Sequence, residues 1–158
     1  MHLTSLLPRP VAQAAGLLTF FLPAFAADSA ASDRDATLEA IRNLENPRNL
    51  TRPGPRGELG AYQFRAETWR MHTAEPFARA LDRASSDRVA ERHYEWIRRG
   101  LARAGLPASP YNIALAWNSG LGAVVSGRAP RVAHRYAERA ENLAAVLQQE
   151  RSFAAAGR

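Results

Sequence analysis

The sequence contains no cysteine and no lysine in its 158 residues. A chain without cysteine has no disulfide bonds and no cysteine-ligated zinc, so its fold relies on packing alone. The four histidines (His2, His72, His93 and His134) form no HExxH motif and no similar metal-binding spacing. We therefore expect one domain, the usual number for a chain of this length, with neither a metal ion nor a cofactor.

All 21 basic residues are arginines, and with 15 acidic residues the net charge is +6. A basic balance favours an anionic partner such as cell wall, lipid headgroups or nucleic acid. Four arginines recur near the end of the chain, namely Arg128, Arg131, Arg135 and Arg139. This segment lacks the repeated aromatic side chains on which bases stack. We interpret it as a solvated helix face and do not expect nucleic-acid binding.

The first 26 residues are typical of a secretory signal peptide. Arg9 supplies a positive charge, an apolar stretch follows, and Ala24-Phe25-Ala26 matches the small-x-small pattern that signal peptidase cleaves. A membrane anchor is the alternative, but Gln13 and Pro23 interrupt an apolar stretch that is already short for a span. We predict a signal peptide over 1–26 and an exported mature domain over 27–158. Its location would be the periplasm or the extracellular space, without stable membrane insertion.

The mature chain has helical periodicity and no long alternating pattern, which predicts an all-α domain. Longer helices are predicted over 33–45, 86–104 and 131–149, and shorter ones over 68–71, 75–81 and 123–126. Asp33 or Asp35 is expected to cap the first helix, and Pro47 to end it. The tail from Phe153 is expected to fray. Ser109-Pro110 is expected to start a nearly all-apolar helix that ends at Gly120 and lies buried at the centre.

Glu45 stands at the predicted C-terminal end of the first helix. The negative end of the helix dipole and burial among apolar neighbours both favour a protonated carboxyl and raise its pKa. A glutamate with a raised pKa is suited to general acid catalysis near neutral pH. On this feature alone, an ordinary surface glutamate before a proline is the simpler interpretation.

Motifs downstream of Glu45 change that interpretation. Glu45 is followed by Asn46-Pro47, then by Gly57, Gly60 and Gln63, and then by Thr68-Trp69. This pattern resembles the lytic transglycosylases and goose-type lysozymes of the lysozyme-like superfamily. In that family a catalytic glutamate ending a helix is followed by a Gly-x-x-Gly-x-x-Gln segment and a Thr-Trp pair.

Two later blocks extend the resemblance over nearly the whole mature chain. Ala116-Trp117-Asn118-Ser119-Gly120 is similar to the family's Ala-Tyr-Asn-Ala-Gly helix end, and Tyr136-Ala137-Glu138-Arg139-Ala140 to its Tyr-x-x-Arg-Val block. There are departures. Asn46-Pro47 stands where the family has serine, and Gly60-Ala61-Tyr62-Gln63 stands for Gly-Leu-Met-Gln. These departures leave an inactive relative as an alternative.

The resemblance implies a lysozyme-like helical domain with a central buried helix and a substrate groove. Glu45 would be the catalytic acid and base. The residues expected to bind substrate are Gly57, Gly60, Tyr62, Gln63, Asn118 and Tyr136. The two glycines would let a sugar approach the backbone, or would only turn the chain. Tyr62, Phe64 and Trp69 would form an apolar wall beside Glu45 or pack in the core, and Trp117 would pack.

The activity implied is that of an exported lytic transglycosylase acting on peptidoglycan as a monomer. One carboxylate suffices for this reaction, because the C6 hydroxyl of N-acetylmuramic acid attacks and leaves a 1,6-anhydro end. Hydrolysis ordinarily needs a second carboxylate, for which Glu58 is the foremost candidate, with Glu67 and Glu75 behind it. The alternatives are a muramidase on the same fold and a non-catalytic protein that binds the cell wall.

Overall fold

The computed structural model describes residues 24–157, and these are mostly helical. The helices are α1 (Ala24–Glu45), α2 (Ala66–His72), α3 (Arg83–Arg103), α4 (Pro110–Ser119), α5 (Leu121–Val125) and α6 (Arg131–Ala156), with a 3₁₀ helix over Phe77–Leu81. Residues 24–157 contain no β-strand, and their one β-bridge is an isolated antiparallel bridge between Leu59 and Phe64. The predicted all-α class is confirmed.

The predicted signal peptide lies outside the described residues except for its last three, which belong to α1. None of the helices found in 24–157 is both long enough and apolar enough to cross a membrane.

The predicted start of the first helix and the predicted end of the last were wrong. Asp33 and Asp35 lie inside α1, because the alanine-rich segment before them is itself a good helix former. The carboxylate of Asp33 accepts a hydrogen bond from Gln148 of α6 at 2.8 Å instead of capping a helix. At the other end, α6 continues through Phe153 to Ala156, since three consecutive alanines favour helix over fraying.

α1 and α6 pack against each other through alanines. Ala36 and Ala40 of α1 form one buried cluster with Ala144 of α6, and all three are fully buried. Small side chains let two helices approach closely, and Leu143 and Leu147 of α6 pack, partly buried, against this cluster. The guanidinium of Arg151 donates to Glu39 at 2.6 Å across the same seam.

α4 is the buried central helix that the sequence predicts. Residues 113–116 are buried, and the helix packs against α1, α3, α5 and α6. Ser109 caps it by accepting a hydrogen bond from the backbone N–H of Asn112 at 3.3 Å. Gly120 ends it with φ = +85°, a conformation that glycine adopts without strain. Asn118, which is one of the predicted substrate-binding residues, lies near this end of α4.

Candidate active site

Glu45 is the last residue of α1, because Pro47 has no N–H with which to continue the helix. The Glu45 side chain is half-buried. The phenolic O–H of Tyr136 on α6 donates a hydrogen bond to its Oε1 atom at 2.8 Å. Two of the predicted site residues, on different helices, are therefore in direct contact.

The pKa of Glu45 is raised above its ordinary value. Burial is the largest cause, since it disfavours the charged carboxylate, and the negative charge of Glu58 acts in the same direction. The hydrogen bond from Tyr136 opposes both by stabilising the carboxylate. The raised pKa agrees with the expectation from sequence, and burial is its main cause.

Two adjoining depressions meet at Glu45 and together form what we call the cleft. Their volumes are about 420 and 300 Å³, within the range of small-molecule sites. Glu45, Pro55 and Gln63 line both of them. The first depression is otherwise lined by the segment from Asn46 to Gly54, and the second reaches α2, α3 and the end of α4. A chain-like ligand could thus extend past Glu45 on both sides.

Asn46 holds the wall of the first depression in place. Its buried amide donates to the carbonyls of Leu50 at 2.9 Å and Gly60 at 3.1 Å, and its Oδ1 accepts from the N–H of Leu50 at 2.8 Å. In the motif that this sequence resembles, serine stands at this position. Asparagine there orders the loop after Glu45, a role that sequence reasoning missed.

Glu58 lies in the second depression together with Glu45. Its carboxylate accepts a hydrogen bond from the backbone N–H of Arg56 at 2.8 Å and lies 3.5 Å from the Arg56 guanidinium. The backbone hydrogen bond is the main cause of a lowered pKa, so Glu58 remains ionised where Glu45 retains its proton. The two carboxyl groups therefore have opposite pKa shifts.

Gln63 and Asn118, both predicted to bind substrate, line the cleft. Gln63 has φ = +47°, which is uncommon for a residue other than glycine, and its Nε2 donates to the Gly60 carbonyl at 2.9 Å. Asn118 is exposed in the second depression, and its amide has no hydrogen-bond partner within residues 24–157. Its amide is thus available to a ligand.

The other four predicted binding residues do not line the cleft, and one of them, Tyr136, reaches it only through its hydrogen bond to Glu45. Tyr62 is buried, and its hydroxyl donates to Asp87 on α3 at 2.8 Å; burial is the main cause of its raised pKa. Gly60 packs on the 3₁₀ helix, where a Cβ atom would collide with the carbonyl oxygen of Ala80. Gly57 turns the chain in open solvent with φ = +80°. Tyr62 and Gly60 contact other parts of the protein, and Gly57 faces open solvent. None of these three residues is therefore placed to touch a ligand in the cleft.

The apolar floor of the second depression differs from the predicted wall. Phe64 lines it as expected, but Trp69 is fully buried behind and donates its Nε1–H to the Glu75 carbonyl at 2.8 Å. Trp117, expected only to pack, is partly exposed in the depression, and its ring centroid is 5.6 Å from that of Phe64.

His93 completes this floor and was also missed. Its ring centroid is 4.7 Å from that of Trp117, and its Nδ1 lies 2.9 Å from Nε2 of His72. Burial lowers the pKa of His93 to about 3, so the ring is neutral at physiological pH. The helical spacing of His93 in α3 was recognised in the sequence, but nothing there indicated that it meets Trp117.

No cluster of three or more potential metal ligands occurs within residues 24–157. Comparison with protein-family models, with curated proteins and with solved structures found no match.

Proposed function

We propose that the protein is an exported lytic transglycosylase with a lysozyme-like fold that cleaves the bond between N-acetylmuramic acid and N-acetylglucosamine in peptidoglycan. The observation that supports this most directly is the half-buried carboxyl of Glu45, with its raised pKa and its hydrogen bond from Tyr136. It lies where two depressions meet, as a group acting on an internal bond of a glycan strand must.

In the first step Glu45 acts as a general acid. Because Tyr136 donates to Oε1, that oxygen acts as an acceptor and the transferable proton resides on Oε2. Oε2 gives this proton to the glycosidic oxygen, the bond to C1 of N-acetylmuramic acid breaks, and positive charge develops on the ring. The hydrogen bond from Tyr136 then stabilises the carboxylate that remains.

In the second step the Glu45 carboxylate acts as a general base. It takes the proton of the C6 hydroxyl of the same ring while the C6 oxygen forms a bond to C1. The product carries a 1,6-anhydro ring, and Glu45 is protonated again, so atoms and charge balance without water. A single carboxyl group serves both steps, and a raised pKa suits it to donate the proton first and recover it afterwards.

A muramidase is the second candidate, because Glu58 lies in the same depression as Glu45. Its ionised carboxylate has the protonation state required of a base or nucleophile in hydrolysis. Against this, Glu58 already accepts a hydrogen bond from the Arg56 N–H and lies 3.5 Å from its guanidinium, so both groups compete with water for its carboxylate. The transglycosylase therefore remains the first proposal.

Mass spectrometry of the products that the mature protein releases from purified sacculi tests both candidates. Products with 1,6-anhydro ends support the transglycosylase, and reducing ends support the muramidase. Glu45→Gln should reduce release by about 10²–10⁴-fold, the usual contribution of a general acid, while binding to sacculi is retained.

Glu58→Gln separates the two mechanisms further. A transglycosylase should keep its activity within about tenfold, because only the electrostatic effect of Glu58 on Glu45 is lost. A muramidase should lose activity as severely as with Glu45→Gln. Binding to sacculi without any release by the unmodified protein would instead indicate a wall-binding protein.

A further inference from the structure

The cleft carries more positive than negative side chains. Arg52 lines the first depression, and Arg56 and Arg65 line the second. Arg56 lies 3.5 Å from the carboxylate of Glu58, and Arg65 lies 3.5 Å from that of Glu67. Arg52 alone of these three has no ion-pair partner in the part of the chain that the structure describes. Its charge is therefore available to a ligand.

The backbone on both sides of Arg52 is held by hydrogen bonds. On one side, the N–H and carbonyl of Leu50 both bond to the buried amide of Asn46. On the other, the N–H of Gly54 donates to the carbonyl of Glu58 at 2.8 Å, and Pro53 between them has a restricted φ. Arg52 thus projects from an ordered loop segment, which reduces the entropy lost when a ligand binds.

The first depression offers little negative charge that would compete for Arg52. The only carboxyl group lining it is that of Glu45, whose raised pKa keeps it protonated to higher pH than an ordinary glutamate. An anionic group bound beside Arg52 would therefore meet less competing negative charge than it would beside Arg56 or Arg65, each of which faces a carboxylate. A planar guanidinium is suited to bidentate binding of a carboxylate.

We propose that Arg52 binds a carboxylate substituent of the glycan strand, and so makes the enzyme prefer anionic strands to neutral ones. This inference rests on the proposed function for its substrate. Peptidoglycan strands carry such a group as the free lactyl carboxylate of N-acetylmuramic acid or as the carboxylates of its stem peptide. Chitin-type strands carry none. Arg52 is a specificity residue, since it contacts a substituent and not the bond that breaks.

Binding affinity is the primary measurement, made in the Glu45→Gln background so that the strands stay intact. The ligands are peptide-free glycan strands, the same strands with their lactyl carboxylates converted to methyl amides, and peptide-bearing strands. Arg52→Gln should raise the Kd for the carboxylate-bearing strands about three- to tenfold and leave the Kd for the amidated strands unchanged. The difference should shrink at high salt, because exposed charges are screened.

Arg48→Gln is the matched control. Arg48 lies on the same loop and is exposed, but it lines neither depression. It should change no Kd by more than about twofold, as expected for a surface substitution. An effect confined to peptide-bearing strands would identify the stem peptide as the source of the carboxylate, and an effect on peptide-free strands would identify the lactyl group.

The proposal would be overturned if Arg52→Gln weakened binding to native and amidated strands equally, or if it did not weaken binding at all. These results are independent of catalysis. If the unmodified protein cleaves no strand but Arg52→Gln still weakens only carboxylate-dependent binding, the proposed enzyme function fails and this inference stands. If the unmodified protein cleaves strands but the Kd values do not depend on Arg52, the proposed enzyme function stands and this inference fails.

Discussion

The hydroxyl of Tyr136 donates a 2.8 Å hydrogen bond to Oε1 of Glu45, although the two residues are 91 positions apart in the sequence. The bond joins the C-terminal end of α1 to the first turns of α6. It is the interaction that lowers the pKa of Glu45 against the opposing effects of burial and Glu58. The acid strength of Glu45 thus depends on how two distant helices pack.

Replacing Tyr136 with phenylalanine tests this dependence. Without the hydroxyl, the pKa of Glu45 should rise further, so the alkaline limb of the kcat/KM profile should move to higher pH. The rate at neutral pH should fall about 10- to 100-fold, as for loss of a hydrogen bond to a charged group. Tyr111→Phe is the control, because Tyr111 bonds His134 at 2.6 Å and lines no part of the cleft. An alkaline limb that stays in place would contradict the assigned role.

The raised pKa of Glu45 also predicts how stability depends on pH. Over the interval between its unfolded and folded pKa, the native state holds a proton that the unfolded chain has lost. The free energy of unfolding therefore falls as pH rises through this interval. Glu45→Gln has no such titration and still offers an oxygen to Tyr136. Its unfolding temperature should match that of the unmodified protein near pH 4 and exceed it at pH 8.

Thermal unfolding followed by circular dichroism at a series of pH values measures this difference. Glu67→Gln is a suitable control, because the Glu67 side chain is 68% exposed and its ion pair with Arg65 is a surface pair of small energetic effect. A difference between Glu45→Gln and the unmodified protein that is the same at every pH would disprove the prediction.

Asn46→Ala should destabilise the protein by about 1–3 kcal/mol, because it removes three side-chain hydrogen bonds that order the loop. Two of them go to the backbone of Leu50, and the third goes to the Gly60 carbonyl, which keeps its bond from Gln63. Urea denaturation should show a lower midpoint with an unchanged slope. Asn43→Ala is the comparison, since Asn43 lies on α1 without a side-chain hydrogen bond to any described residue. It should stay within about 0.5 kcal/mol of the unmodified protein. If the two substitutions lowered the free energy of unfolding equally, the hydrogen bonds of Asn46 would not be what stabilises the loop.

Gly60 and Gly57 form a matched pair for testing close packing. Their φ angles are +78° and +80°, so alanine at either position should introduce left-handed strain of about 1–2 kcal/mol. Only at Gly60 would the new Cβ collide with the Ala80 carbonyl. Gly60→Ala should therefore cost about 3–5 kcal/mol in total, and Gly57→Ala about 1–2 kcal/mol. Similar unfolding midpoints for the two variants would mean that the 3₁₀ helix moves aside freely.

Local sequence chemistry predicted much of the secondary structure. The stop at Pro47, the Ser109-Pro110 start and the Gly120 end of α4 are all found, because each depends on the backbone chemistry of neighbouring residues. The start of α1 and the end of α6 were missed for a related reason. Alanine-rich segments have high helix propensity but no apolar periodicity, so α1 begins before the expected cap at Asp33 or Asp35 and α6 continues beyond its periodic part.

The sequence by itself determined that the protein is all-α, that α4 is buried, and that Glu45 ends a helix, since these follow from periodicity, capping and proline. Only the tertiary structure decided what each candidate residue contacts. Tyr62 faces Asp87 while Trp117 and His93 reach the cleft, because the direction of a side chain depends on how its element packs. The pKa of Glu45 has the same origin, since the burial that raises it and the Tyr136 hydrogen bond that lowers it exist only in the folded protein.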